Sequence, residues 1–296
     1  MVKFIGVSYG RGGCKYPIDD GCEKGPVAIA EMFPEIAFEN IVPNWDFVPE
    51  NLTTCEERLT ENLPMQKIIY DACSQIPTGE KYILLGGDHS VNFAHFKSVF
   101  DKYSQDEIAL VYIDAHLDIH SPVSSSREAS GSPHGMNVRH LLAIDDECDE
   151  RYLNIGKKKS ALKPENLFYL GTRSYEPSEK NFIDNAGIFS ASPDELNSDE
   201  KVDNLIANIR EKIGNKKMFI SFDFDCIDTE FMLAVQVPEP NGINLETALR
   251  IIDKLVHNNH NLIACEFVEF APRFDKNNIG AKNAKLLIEK VINNWI

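Results

Sequence analysis

Short apolar runs alternate along the chain with longer segments of helical periodicity. Most of the runs are apolar at every position, which is typical of strands in a parallel sheet that is covered on both faces. The runs lie at residues 4–8, 82–85, 108–113, 167–170, 218–222 and 262–267. Between them, apolar residues recur three or four positions apart, as in an amphipathic helix. These helical segments are residues 65–76, 91–103, 201–213, 245–256 and 281–295.

This alternation of strands and helices predicts the fold class. We expect an α/β protein with three layers (αβα) and a mainly parallel central sheet. No Pro/Ser-rich linker and no internal repeat divides the 296 residues, so a single domain over residues 1–296 is predicted. Two stretches do not follow the pattern. Residues 119–134, rich in Ser, Gly and Pro, predict a long loop, and the charged residues 145–160 predict a surface excursion.

Composition excludes several classes of partner. The formal net charge of −16 argues against nucleic acid, whose phosphates require clustered Lys and Arg. No apolar run approaches the roughly 20 residues of a membrane span, and the first residues are typical of a strand rather than a signal peptide. The seven cysteines are odd in number and form no CxxC pair. We therefore expect no disulfide framework, no structural zinc site and a cytoplasmic location.

Acids and histidines are concentrated where three of the predicted strands end. In open α/β sheets, ligands bind at the carboxyl ends of the strands. The second run is followed by "GGDHS", the third by "DAHLD" and the fifth by "DFDCID". Residues two apart on an extended strand point to the same side, so their side chains can converge. The candidate metal ligands are His89, Asp114, His116, Asp118, Asp223 and Asp225.

The number and type of these side chains favour a pair of metal ions. Clustered acids repel one another, and divalent cations relieve that repulsion. Two imidazoles and four carboxylates exceed the needs of one tetrahedral zinc but suit a two-metal hydrolytic site. Oxygen-rich ligands with some imidazole are typical of manganese. Each motif alone has a structural explanation; Asp88 or Ser90, for example, could cap the following helix. The three motifs together favour the metal site.

In order and spacing, these motifs resemble the three signatures of the arginase/agmatinase/formimidoylglutamase (ureohydrolase) family, and are closest to arginase. The resemblance covers nearly the whole chain. It includes "DDGCEKGP" near the N-terminus and "ACEFVEFAP" at the last predicted strand. It implies a parallel-sheet α/β fold, two Mn²⁺ ions per chain and hydrolysis of guanidino-type groups. It also implies a homo-oligomer, a trimer or a hexamer.

The resemblance assigns a role to each position. One manganese ion would be held by His89, Asp114, Asp118 and Asp223. The other would be held by Asp114, His116, Asp223 and Asp225. A hydroxide between the ions would attack the guanidinium carbon. Glu269 matches the glutamate that orients the guanidinium group, and His134 matches the histidine that passes a proton to the leaving amine.

The Ser-rich loop resembles that of arginases, which holds the α-carboxylate and α-amino groups of arginine. The matching substrate-binding positions are His120, Ser130, Ser132 and Glu176. Ser130 agrees with the arginase pattern, whereas His120 and Ser132 stand where asparagines are usual. Glu176 replaces an aspartate that binds the amino group. Val237 replaces a hydroxyl residue near the guanidinium group.

Arginase is therefore the first prediction: hydrolysis of L-arginine to L-ornithine and urea. Formimidoylglutamase, or another guanidino-acid hydrolase, is second, because a "PNG" sequence like that after the third motif occurs in some formimidoylglutamases. Agmatinase is third, because its substrate lacks the carboxylate that the loop would bind. Outside this class stand a non-catalytic ureohydrolase-like binding subunit and a single-zinc deacetylase-type hydrolase. The complete set of ligand positions argues against the first, and the number of acids against the second.

Overall fold

A computed structural model describes residues 2–13, 21–42, 52–104, 106–144, 146–157 and 162–295. Within these ranges one sheet contains eight strands. They are β1 (Lys3–Val7), β2 (Phe38–Ile41), β3 (Tyr82–Gly86), β4 (Ile108–Ile113), β5 (Leu167–Leu170), β6 (Phe189–Ala191), β7 (Lys217–Asp223) and β8 (Leu262–Val268). Their spatial order is β2-β1-β3-β8-β7-β4-β5-β6. Every pairing between neighbouring strands is parallel, as predicted.

Helices cover both faces of the sheet. In the described ranges they are α1 (Gly25–Ala30), α2 (Cys55–Ser74), α3 (Val91–Phe100), α4 (Pro122–Glu128), α5 (Asn137–Leu142), α6 (Glu150–Leu153), α7 (Pro177–Ala186), α8 (Asp199–Ile213), α9 (Leu245–Val256) and α10 (Ile279–Asn294). Apolar residues of α1, α8, α9 and α10 pack on one face. Those of α2, α3, α5, α6 and α7 pack on the other. The predicted three-layer αβα fold is confirmed. None of the described helices combines the length and the apolar character that a membrane crossing requires.

The six predicted strands are present, whereas β2 and β6 were not predicted. Both are edge strands, and they are only four and three residues long. The sequence of β2 is "FENI", in which no residue is fully buried. Because an edge strand pairs on one side only, it needs no continuous apolar run, and the apolar pattern could not reveal it.

Helix α2 begins at Cys55 rather than at residue 65, where the sequence pattern placed its start. Thr54 and Glu57 form a reciprocal cap: the Thr54 hydroxyl accepts the Glu57 N–H at 3.2 Å, and the Glu57 carboxylate accepts the Thr54 N–H at 3.0 Å. Pro64 lies inside the helix. Proline usually ends or begins a helix, so the pattern on its C-terminal side was taken for the whole element.

The stretch predicted to be a loop contains a helix, so this prediction was wrong in part, and the stretch predicted to be a surface excursion contains the short helix α6. Residues 119–134 include α4, which Ser121 and Ser124 cap reciprocally, and a 3-10 helix, Pro133–Met136. Residues 146–157 include α6, whose Tyr152 is buried and donates to the Asn62 side chain at 2.7 Å. Because Asn62 belongs to α2, the local sequence could not show this contact. Residues 145 and 158–160 lie outside the described ranges, as do residues 19–20 of "DDGCEKGP".

Candidate active site

The strand order brings the three motifs together. β3, β8, β7 and β4 are consecutive neighbours in the sheet. Asp114 directly follows β4, Asp223 is the last residue of β7, and His89 follows the turn after β3. Because all four strands run in the same direction, their carboxyl ends share one edge, and the acids and histidines meet there.

The turn after β3 depends on a residue without a side chain. A Cβ atom on Gly87 would lie 1.8 Å from the carbonyl oxygen of Tyr9, so only glycine fits. The next residue, Asp88, accepts the N–H groups of Gly12 at 2.7 Å and Ser90 at 2.8 Å. Asp88 therefore holds the turn, and His89 follows in a fixed position.

His89 faces three carboxylates through one ring nitrogen. Its Nδ1 lies 2.8 Å from Oδ2 of Asp114, 3.1 Å from Oδ2 of Asp223 and 3.4 Å from Oδ2 of Asp118. Its Nε2 lies 2.8 Å from the hydroxyl of Ser221. The Ser221 hydroxyl donates its proton to the carboxylate of Glu266, so neutral His89 donates from Nε2 to Ser221. Nδ1 then carries the lone pair that a metal ion requires.

His116 forms the second half of the cluster. Its Nδ1 lies 2.9 Å from Oδ2 of Asp225 and 3.5 Å from Oδ1 of Asp114. Two groups of donor atoms are close enough to hold a metal ion, His89–Asp114–Asp118 and Asp114–His116–Asp225. Asp114 belongs to both groups and turns one oxygen to each.

The electrostatics of the cluster show an excess of negative charge. Burial, together with the charge of Asp114, raises the pKa of Asp118 to about 6. Burial and the charge of Asp225 raise the pKa of Asp223 well above its usual value. Burial acts to lower the pKa of His89, but its contacts with Asp114 and Asp223 outweigh burial and raise the pKa well above its usual range. Protons thus accumulate where cations would otherwise balance the acids.

One oxygen of the cluster tests whether metal ions fit. Oδ2 of Asp114 is buried and, when His89 is neutral with Nδ1 unprotonated, receives no hydrogen bond from any described donor. A buried carboxylate oxygen without a donor is costly, and an ion between it and Nδ1 of His89 would remove that cost. Imidazole nitrogen and carboxylate oxygen are both suitable ligands for divalent cations. The residues present therefore fit a pair of ions that share Asp114.

Glu269 and His134 lie beside the cluster. Glu269 follows β8 with a φ of 69°, a conformation that is uncommon for side chains larger than glycine and is often found at functional sites. Its carboxylate accepts the backbone N–H of His89 at 2.8 Å and the thiol of Cys22 at 3.3 Å. Nδ1 of His134 is 3.7 Å from Oε1 of Glu269. A buried carboxylate and an imidazole thus stand together at the edge of the acid–histidine cluster.

His89, His134 and Glu269 line one cavity of about 210 Å³ together with most of the other predicted site residues. Every predicted site residue lines it except Asp114 and Ser132. Asp114 is fully buried within the cluster. The hydroxyl of Ser132 accepts a hydrogen bond from the guanidinium of Arg58 at 2.7 Å. Val237 also lines the cavity and makes its wall apolar there.

The cavity is also lined by a second group of polar side chains. Nε2 of His120 lies 2.9 Å from Oε2 of Glu176. Glu179, which also lines the cavity, was not predicted as a site residue. Burial and its contact with Glu176 raise the pKa of Glu179 to about 8. A glutamate three residues into a helix that begins with proline is typical of a helix cap, and this signal could have indicated Glu179.

A buried polar network orients His89 through Nε2, the ring nitrogen that faces away from the three carboxylates. Ser221 donates to Glu266 at 2.6 Å, and Nδ1 of His95 is 2.6 Å from the other oxygen of Glu266. Asn92 also donates to Glu266. Glu266 is completely buried in β8. Groups of this kind fix the orientation and tautomer of a ligating histidine. Glu266 was not predicted as a site residue, although a charged residue within an apolar strand was a signal.

Replacing Glu266 with leucine is expected to destabilise the fold. The change leaves the donors of His95, Ser221 and Asn92 buried without their acceptor, so we expect the free energy of unfolding to fall by about 3–5 kcal/mol. Urea denaturation followed by circular dichroism measures this effect. As a control, Glu289→Leu on the exposed side of α10 should change stability by no more than about 0.5 kcal/mol. A loss below about 1 kcal/mol for Glu266→Leu would contradict the expectation.

The fold and the site define a class of protein. The chain is a three-layer α/β protein with an imidazole–carboxylate cluster, suited to metal ions, at the carboxyl edge of its parallel sheet. The sequence model of the Arginase family matches residues 2–293. The chain belongs to the Arginase family, whose members are hydrolases that act on guanidino C–N bonds. The predicted family resemblance is therefore confirmed.

Individual relatives agree with this family. The arginase of Neurospora crassa is 28% identical over 250 residues, which cover 82% of this chain and 67% of that protein. The arginase of Saccharomyces cerevisiae is 27% identical over 222 residues, which cover 73% of this chain and 65% of that protein. The chain thus spans about two thirds of the length of these relatives. The crystal structure of Entamoeba histolytica arginase in complex with L-ornithine has a TM-score of 0.85 at 24% identity, over 98% of both chains, and shows the same fold.

Proposed function

We propose that this chain is a binuclear manganese hydrolase that converts L-arginine into L-ornithine and urea. The observation that carries the proposal is the pair of donor groups that share Asp114, because a shared carboxylate is the feature that a two-ion site requires. Membership of the Arginase family and similarity to proteins named arginase support the same reaction.

The proposed ligands are those of the sequence analysis. One ion would be held by His89, Asp114, Asp118 and Asp223. The second would be held by Asp114, His116, Asp223 and Asp225. When bound, such ions lower the pKa of water towards neutrality and balance the clustered acids. The oxygen-rich donor set favours manganese over softer metals.

Glu269 and His134 are the proposed catalytic side chains. The Glu269 carboxylate can pair with the planar guanidinium fork, and the His89 N–H holds that carboxylate in place. His134 lines the cavity and is partly accessible, with 17% of its side chain exposed. Its imidazole can act as the proton donor to the leaving amine.

A second group of cavity residues would bind the amino-acid end of the substrate. We assign the α-ammonium group to Glu176 and the α-carboxylate to Ser130 and His120, all three of which line the cavity. Arg58 donates to the Ser130 carbonyl at 2.5 Å and to the Ser132 hydroxyl at 2.7 Å. Ser132 would therefore act by positioning this loop. The apolar Val237 is the observation that keeps formimidoylglutamate, or another guanidino acid, as the second candidate substrate. Agmatine ranks below both, since it lacks a carboxylate for Ser130.

A product assay distinguishes these substrates. Manganese-loaded protein would be incubated with arginine, agmatine or formimidoylglutamate, and urea and formamide would be measured. Urea from arginine alone supports the proposal. Formamide without urea would move the assignment to a formimidoyl substrate, while urea mainly from agmatine would indicate that the loop does not select a carboxylate. No product from any of the three would favour a different guanidino acid or a non-catalytic subunit.

The variant His134→Ala tests the proton-transfer role. We expect two manganese ions per chain to remain, while kcat for arginine falls about 10²- to 10⁴-fold, because the leaving amine loses its proton donor. Metal analysis and steady-state urea release measure both quantities. His257→Ala, at the C-terminal end of α9, is the control and should leave both unchanged. Loss of manganese from His134→Ala would count against the assigned role.

The remaining predictions concern the whole protein. We propose a single domain over residues 1–296, which rests on the lack of a linker or a repeat in the sequence. We also propose assembly into a trimer or a hexamer, which rests on the family resemblance. A cytoplasmic location rests on the number and spacing of the cysteines in the sequence. Light scattering coupled to gel filtration would measure the oligomeric state directly.

A further inference from the structure

A third group of possible metal ligands lies in the cavity, apart from the two groups that share Asp114. It consists of His120, Glu176 and Glu179, whose donor atoms all lie within 4.8 Å of one another. Nε2 of His120 is 2.9 Å from Oε2 of Glu176 and 3.4 Å from Oε2 of Glu179. His120 and Glu179 are buried, whereas 40% of the Glu176 side chain is exposed. The group therefore faces the solvent side of the cavity.

The histidine of this group is oriented as in a metal site. Nδ1 of His120 is 3.0 Å from the hydroxyl of Ser124, and this contact turns Nε2 towards the two carboxylates. Ligating histidines almost always donate their second ring N–H to an oxygen atom, and Ser124 supplies that oxygen. The contact with Ser124 is independent of the acids, so the group is more than a cluster of negative charge.

Backbone contacts hold Glu179 in place. Its Oε1 accepts the N–H of Ile119 at 3.1 Å, and its Oε2 accepts the N–H of Glu176 at 3.1 Å. Both glutamates belong to the first turn of α7 and its cap. Ligands fixed by regular elements lose little freedom when an ion binds, which favours binding.

Distances and charge are suitable for a small divalent ion. A tetrahedral ion with bonds of about 2.0–2.1 Å keeps its ligand atoms about 3.3 Å apart. The two measured separations from Nε2 of His120, 2.9 and 3.4 Å, lie close to this value. Two carboxylates and one neutral imidazole balance a charge of +2, and a fourth position remains open to water.

We propose that His120, Glu176 and Glu179 bind a divalent transition-metal ion such as Zn²⁺, as a third site separate from the two-ion cluster. Because Glu176 is also the proposed partner of the substrate ammonium, an ion here would compete with arginine. This competition rests on the proposed function, whereas binding of the ion does not. The chain would then be inhibited when free Zn²⁺ rises.

Metal counting tests the third site without any activity measurement. The protein would be dialysed against rising concentrations of Zn²⁺, and bound zinc would be counted per chain. We expect three ions in the unmodified protein and two in His120→Asn and in Glu179→Gln, with the third-site affinity reduced more than about 100-fold. Glutamine can still cap α7, so Glu179→Gln should fold. Glu195→Gln is the matched control, because Glu195 caps a 3-10 helix from the same position, and it should bind three.

The outcomes separate this proposal from the proposed function. Asp114→Ala should lose both ions of the two-ion cluster and keep one bound zinc. The double variant with Asp114→Ala and His120→Asn should bind no zinc. A single His120-dependent ion in the unmodified protein would support the third site and contradict the two-ion cluster. Saturation at two ions that neither His120→Asn nor Glu179→Gln removes would overturn the third site and leave the cluster intact.

With arginine as substrate, added Zn²⁺ should raise KM in the manganese-loaded protein and not in His120→Asn; equal inhibition of both would contradict the competition.

Discussion

Replacing Asp114 with alanine is expected to remove both metal ions and to lower kcat/KM for arginine by at least about 10³-fold, or roughly 4 kcal/mol. The reason is the shared position of this carboxylate. Oδ2 of Asp114 is 2.8 Å from Nδ1 of His89, and Oδ1 is 3.5 Å from Nδ1 of His116. Loss of one side chain therefore breaks both ligand groups, whereas loss of Asp118 or Asp225 breaks one. Manganese content and urea release, measured on the same preparation, check the result.

Asp228→Asn is the matched control for this variant. Asp228 belongs to the same acid-rich segment after β7, but its carboxylate accepts the backbone N–H groups of Glu230 at 2.9 Å and Gly242 at 3.0 Å. Asparagine can retain part of this bonding, so two manganese ions and most of the activity should remain. If Asp114→Ala kept two ions, the shared-ligand arrangement would be wrong, whatever happened to activity.

Replacing Glu269 with glutamine is expected to leave both ions in place and to lower kcat/KM for arginine by about 10²- to 10³-fold, or roughly 3–4 kcal/mol. Glutamine keeps an oxygen that can accept the His89 N–H, so the local fold should be preserved. The change removes the negative charge that would pair with the guanidinium group in a buried cavity. The change introduces no new backbone strain, because glutamate and glutamine are equally compatible with a φ of 69°.

Metal analysis and kinetics together decide this second prediction. Asp275→Asn is the control, since Asp275 lies in the segment after β8 but caps α10 by accepting the N–H groups of Gly280 and Ala281 at 2.9 Å. Its activity should stay within about twofold of the unmodified protein, as is usual for changes away from the site. Turnover of arginine by Glu269→Gln at the unmodified rate would exclude Glu269 from guanidinium binding.

Much of the fold could be predicted because the central strands are buried on both faces. Every residue of β3 and β4 is buried, and such strands leave continuous apolar runs in the sequence. The edge strands β2 and β6 leave no such run. Helix α4 was missed for a different reason. Its serines favour loops in isolation, and the reciprocal cap between Ser121 and Ser124 helps to stabilise the helix.

The candidate site was predicted to a similar extent. Asp and His at strand ends are conspicuous, and the structure brings His89, Asp114 and Asp223 together. Tyr112 gave no signal, because an inward-facing tyrosine in an apolar strand resembles any other core residue; its hydroxyl donates to Asp118 at 2.8 Å. The separation of Ser132 from the cavity depends on Arg58, a residue of α2 that no local pattern connects to the loop.

The sequence by itself determined which residue types end the strands, how the buried strands alternate with helices and which family the motifs resemble. The first two properties are local, since they depend on neighbours a few positions away, whereas the family resemblance depends on the order and spacing of the motifs along the chain. Only the tertiary structure decided that β8 lies between β3 and β7, which places Glu269 beside His89. It also decided that His120 meets Glu176 from 56 positions away. Contacts of this kind arise from strand order and packing, and no periodicity along the chain encodes them.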